Sequence, residues 1–132
     1  MSEEFVLLIT ASPVKTQIHM TAIRFTETLC AQNIPLKSVF LYQDAILVAN
    51  SHSTPPSDEP QIRDEWIKLA KKNNFELQTC VAASLRRGIL DKQLAEEYQH
   101  VLPSANENFV MAGLGQLAAA MSDKHKKLIH FK

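Results

Sequence analysis

Short apolar runs of strand length alternate with stretches of helical period along this chain, and that alternation leaves few folds open. Phe5 to Thr10, FVLLIT, is a six-residue apolar run closed by the turn-forming ASPVK, which predicts a buried strand ending near Thr10. From Thr16 onward, Ile18, Ala22, Phe25 and Leu29 recur at steps of four, three and four, giving a first helix one buried face. IPLKSVFLY then restarts with proline and turns β-branched and aromatic, as a strand does, while AILVAN fits either a strand or a helical turn. The segment SHSTPPSDEP, with adjacent prolines, serines and acids, predicts an exposed loop too short to separate domains.

The second half repeats the alternation. Ile62, Trp66 and Leu69 share a face of a helix running from Ile62 to about Lys72, with Arg63, Lys68, Lys71 and Lys72 elsewhere. Phe75, Leu77, Thr79 and Val81 then alternate with Glu76, Gln78, Cys80 and Ala82, the period of a strand, with Cys80 near its carboxyl end. Asp91 is placed to cap a helix carrying Leu94, Ala95 and Tyr98, and GLGQLAAAM reads as a further helix before the apolar KLIHF. Together these predict an α/β chain forming a single domain over residues 1–132, with a largely parallel open sheet flanked by helices.

At 132 residues and 45% hydrophobic content the chain has enough apolar mass for one core. Its 14 basic residues balance 14 acidic ones, so no long-range field favours nucleic acid or an anionic membrane, and recognition has to be local. The opening MSEEFVLLIT puts acids where an export signal has basic residues, and its apolar run is too short to span a bilayer, so a cytoplasmic protein is expected. Cys30 and Cys80 are then expected to stay thiols. The five histidines, at positions 19, 52, 100, 125 and 130, lack metal-ligand spacing, and no metal site is assigned.

Cys80 is the candidate for chemistry. In open parallel sheets, sites gather beyond the carboxyl ends of strands, and a cysteine there is reactive as its thiolate, which nearby positive charge or backbone amides favour. Arg86, Arg87 and the backbone after Cys80 are the candidates for that support, or for contact with a partner. The alternatives are a cysteine packed as a small hydrophobe and two arginines that only decorate a helix. Cys30, beside the apolar face of the first helix with no cation near it in sequence, is assigned a structural role. The spacing from Cys80 to Arg86 also matches the C-x5-R outline of cysteine phosphatase and rhodanese loops, although VAASL has no glycine to wrap an anion and Thr79 stands where phosphatases commonly carry histidine. With every glycine at or beyond Gly88, neither a dinucleotide-binding turn nor a Walker loop can follow the first strand.

VFLYQDAILVAN, STPPSDEP, CVAASLRRGIL and GLGQLAAAM, in that order along nearly the full length, resemble the DsrE family of intracellular sulfur carriers. ASPVKTQ departs from relatives that often place a glycine-containing turn there. The resemblance implies that Cys80 carries a persulfide, with no metal or redox cofactor, and serves a sulfurtransferase. It implies a hetero-hexamer with TusB- and TusC-like subunits, a persulfide-bearing donor carrier and a TusE-like acceptor. The sulfur would be destined for 2-thiouridine at the tRNA wobble position, without direct nucleic-acid or membrane contact. Other members imply a carrier in sulfur oxidation or a non-catalytic subunit that lacks the cysteine.

Overall fold

In the computed structural model, which describes residues 3–132, five strands form one all-parallel sheet in the order β4-β3-β2-β1-β5. The strands are β1 (Glu4–Ile9), β2 (Leu36–Leu41), β3 (Glu76–Cys80), β4 (Phe109–Ala112) and β5 (Lys126–Phe131). Between them run α1 (Ile18–Ala31), a 3-10 helix (Gln43–Ala49), α2 (Ile62–Asn73), α3 (Val81–Arg86), α4 (Lys92–Glu97) and α5 (Leu114–Ser122). The largely parallel sheet expected from the alternation is therefore parallel throughout. β2 lies at its centre and β1 is inside it too, with Leu7 beside Val39 of β2 on one side and Ile129 of β5 on the other, and both Leu7 and Ile9 are fully buried. Strands covered on both faces read as continuous apolar runs, which is why FVLLIT shows no alternation.

The helices follow their own chemistry. α2 carries Asp64 and Glu65 in its first turn and Lys71 and Lys72 in its last, matching the helix dipole at both ends, and Asn74 closes it in a left-handed conformation. α1 buries His19, Ala22, Ile23, Thr26 and Leu29, so its inward face includes two polar side chains that apolar spacing alone passes over. Thr26 is satisfied within the helix, its Oγ1 donating to the Ala22 carbonyl at 2.8 Å. His19 bridges elements. Trp66 Nε1 donates to His19 Nδ1 at 3.2 Å, so the ring carries its proton on Nε2, which donates to the Ala11 carbonyl at 2.9 Å. One buried imidazole thus ties the loop after β1 to α2.

Several boundaries differ from the sequence reading. AILVAN falls mostly in the 3-10 helix and ends at Asn50, which forms an isolated bridge to Ala105. β3 stops at Cys80, and Val81 and Ala82, read as part of the strand alternation, are the first two residues of α3. β4 was not expected, because four residues between Asn108 and Gly113 are too few to show a period. Asp91 caps α4 as expected, its Oδ1 accepting from Leu94 N–H at 2.9 Å, whereas Tyr98 sits just past that helix and is exposed. Among the described residues no helix is long and apolar enough to cross a membrane.

Candidate functional site around Cys80

Cys80 is at once the last residue of β3 and the N-cap of α3, so the chain turns from strand to helix at the sulfur. The strand's register places Ala112 of β4 beside it, and Thr79, its neighbour, donates Oγ1–H to Met111 Sδ at 3.3 Å. Alternation had put Cys80 on the more polar side of β3, yet only 1% of it is exposed. The reason is a roof: the 3-10 helix packs against both β3 and α3, and Ala45, Ile46, Val48 and Ala49 are all buried.

That roof is tied down at both ends. Arg87 Nε donates to Asp44 Oδ1 at 3.0 Å, joining the end of α3 to the start of the 3-10 helix, while Arg87 Nη1 donates to the Ala83 carbonyl at 3.1 Å. At the other end Asn106 N–H donates to the Ala49 carbonyl at 2.7 Å and Ser51 N–H to the Ser104 carbonyl at 2.8 Å. Ser104 Oγ in turn accepts from Leu90 N–H and donates to the Gly88 carbonyl. Gly88, the first glycine of the chain, has φ near +70°, which lets α3 end after so few residues. Ile89 N–H returns to the Ser84 carbonyl at 2.9 Å and Gly88 N–H to Leu85 at 3.3 Å, the paired bonds of a Schellman close.

The two arginines thus part company. Arg87 is half-buried and committed to Asp44 and Ala83; Arg86 lies exposed at the end of α3. Neither hydrogen-bonds Cys80 among the described residues. The five residues from Val81 to Leu85 are helical, so they do not wrap an anion as a C-x5-R loop must, and the phosphatase-like outline has no cradle behind it. Cys30 is half-buried near the end of α1, packed against the core, and burial pushes its thiol pKa up. Asp44, the 104–106 segment and Ser84, a buried serine of α3, had no signal in the sequence, because their roles come from contacts between distant segments.

A groove of about 840 Å³ lies between the loop after β1, the start of α1 and the segment 53–64, lined by residues including Val14, Met20, Arg24, Pro56 and Arg63. Cys80 is not among its walls. Among the described residues no group of three or more His, Cys, Asp or Glu side chains is placed to hold a metal ion.

A parallel sheet with a cysteine at the carboxyl end of an inner strand, turned directly into a helix, defines a class of small thiol-bearing α/β proteins. The chain belongs to the DsrE/DsrF-like family, whose model matches residues 3–131. It is 40% identical over 119 residues to sulfurtransferase TusD of Serratia proteamaculans, covering 89% of this chain and 91% of that one. It is 36% identical over 131 residues to a sulfurtransferase TusD homolog of Aliivibrio fischeri, covering 99% of this chain and all of that one. The ychN protein from E. coli has the same fold, with a TM-score of 0.73 at 19% identity over 99% of this chain and all of that one.

Proposed function

We propose that this chain is a sulfurtransferase subunit that accepts persulfide sulfur on Cys80 and passes it to an acceptor protein. The observation that carries this reading is Cys80 itself, at the carboxyl end of β3 where the chain turns into α3, in a protein of the DsrE/DsrF-like family similar to proteins named sulfurtransferase TusD. The Cys80 thiolate attacks the outer sulfur of a donor persulfide, and an acceptor thiol later removes it by the same exchange. No metal, flavin or nicotinamide is called for, since each step trades one sulfur–sulfur bond for another.

The finer role follows the same reading. The chain works in the cytoplasm within a hetero-hexamer of TusB- and TusC-like subunits, takes sulfur from a small carrier and delivers it to a TusE-like acceptor for 2-thiouridine formation at the tRNA wobble position. Burial of Cys80 fits a relay in which the roof opens to admit the sulfur donor, and exposed Arg86 is the charge left to meet it. Reconstitution tests this. Loaded protein and acceptor should restore wobble thiolation to an extract depleted of this chain, and Cys80→Ser should not. Restoration by Cys80→Ser would remove the thiol from the relay, and sulfur release into oxidation products without tRNA thiolation would place it in sulfur oxidation.

A further inference from the structure

Ser84 is fully buried, and its hydroxyl has no hydrogen-bond partner. An unpaired buried hydroxyl costs about 1–3 kcal/mol, so its place calls for a reason. In a helix interior a serine commonly bonds back to the carbonyl four residues earlier, which here is that of Cys80, and Ser84 does not. Cys80 is the N-cap of α3 and Ser84 lies about one turn further on; both are buried, as is Ala83, while Ala82 and Arg86 are exposed. Helical side chains lean toward the helix amino terminus, so the Ser84 hydroxyl leans toward the Cys80 end. Two buried side chains with unused hydrogen-bonding capacity therefore stand about one helical turn apart, since Cys80 Sγ makes no capping bond to α3 and Ser84 Oγ has no partner.

We propose that Ser84 donates its hydroxyl hydrogen to the outer sulfur of a Cys80 persulfide and so holds the loaded state; this rests on the sulfur relay through Cys80. In loading, the Cys80 thiolate attacks the outer sulfur of a donor persulfide. The Cys80 Sγ–S bond forms and the donor S–S bond breaks. The electron pair of that bond leaves with the donor as a thiolate, and the hydrogen on the transferred sulfur travels with it before loss to water. Nothing is oxidised or reduced overall. The added sulfur extends the side chain by about 2 Å, and as an anion it gives the hydroxyl the acceptor it lacks in the thiol state. Ser84 thereby favours retention of sulfur between donor and acceptor.

The test equilibrates the full chain, in a Cys30→Ala background, with a buffer of glutathione persulfide and glutathione, and reads the loaded fraction by intact mass. Thermal unfolding of the unloaded protein is measured alongside. Ser84→Ala should lower the loaded-to-unloaded ratio about tenfold, the loss expected for one hydrogen bond to a charged group. Its unloaded form should melt at the parent's temperature or above, because an unpaired hydroxyl has been removed. A ratio equal to the parent's would overturn the role of Ser84 and leave the relay standing. A lower melting temperature for unloaded Ser84→Ala would also overturn it, by showing that the hydroxyl serves the thiol state. A parent that takes up no sulfur would overturn the relay and this inference together.

Discussion

His19 shows how one residue sets a condition on the whole structure. It accepts from Trp66 on Nδ1 and donates to Ala11 from Nε2, so both ring nitrogens are used in the neutral form. Burial lowers its pKa from 6.5, against the Ala11 hydrogen bond, which acts the other way. Because the folded pKa lies below the unfolded one, the unfolded chain binds more protons under mildly acidic conditions. His19 therefore contributes stability that is complete above pH 6.5 and is lost as pH falls from there through the lowered folded value. Denaturant unfolding of the parent should weaken between pH 7.5 and 5.5, and His19→Gln should show a flatter dependence across the same interval. Equal slopes would mean that other groups carry it. In the core of β3, Leu77 is 2% exposed, and Leu77→Ala should cost about 2–5 kcal/mol by the same denaturant measurement.

At the scale of elements, the 3-10 helix decides access to Cys80. The bond from Arg87 to Asp44 closes it on α3, and both partners are partly exposed, at 28% and 48% of their side chains, so the pair is a weak latch. Asp44→Asn or Arg87→Gln should speed iodoacetamide alkylation of Cys80 roughly two- to fivefold by letting the roof open, the size of a partly exposed ion pair. Arg86→Gln should leave the rate unchanged, since Arg86 holds no element down. Slower alkylation in Arg87→Gln would instead mean that its charge acts on the thiol. The sequence pointed to two arginines near a cysteine but not to their different partners, because Asp44 lies 43 positions from Arg87 and no local pattern marks the pair. Strand and helix identities were legible wherever a period runs for two turns or more, as in α1 and α2. They were not for β4, whose four residues are too few, or for AILVAN, whose apolar run fits a buried 3-10 helix as well as a strand.

For the whole molecule, the strand order explains why Cys80 stood out from the sequence. Every strand points the same way, so all carboxyl ends lie on one edge of the sheet, and Cys80 is the cysteine on that edge while Cys30 belongs to a helix. The alternation of apolar runs was enough to predict this polarity; the roof that buries the sulfur was not predictable, because it depends on tertiary bonds at Asp44, Ala49 and Ser104. Charge also acts at this scale. With 14 basic and 14 acidic residues, the isolated chain should not shift tRNA in a mobility assay at low salt, and a strongly salt-sensitive complex would contradict a relay that stops at a protein acceptor. The most direct test of the central claim is intact and peptide mass after incubation with a persulfidated donor protein, run on the parent, Cys30→Ala and Cys80→Ser. Gain of one sulfur atom on the Cys80 peptide in the first two, lost again on adding an acceptor thiol and absent from Cys80→Ser, is the predicted result; sulfur retained by Cys80→Ser, or found on Cys30 instead, would contradict it.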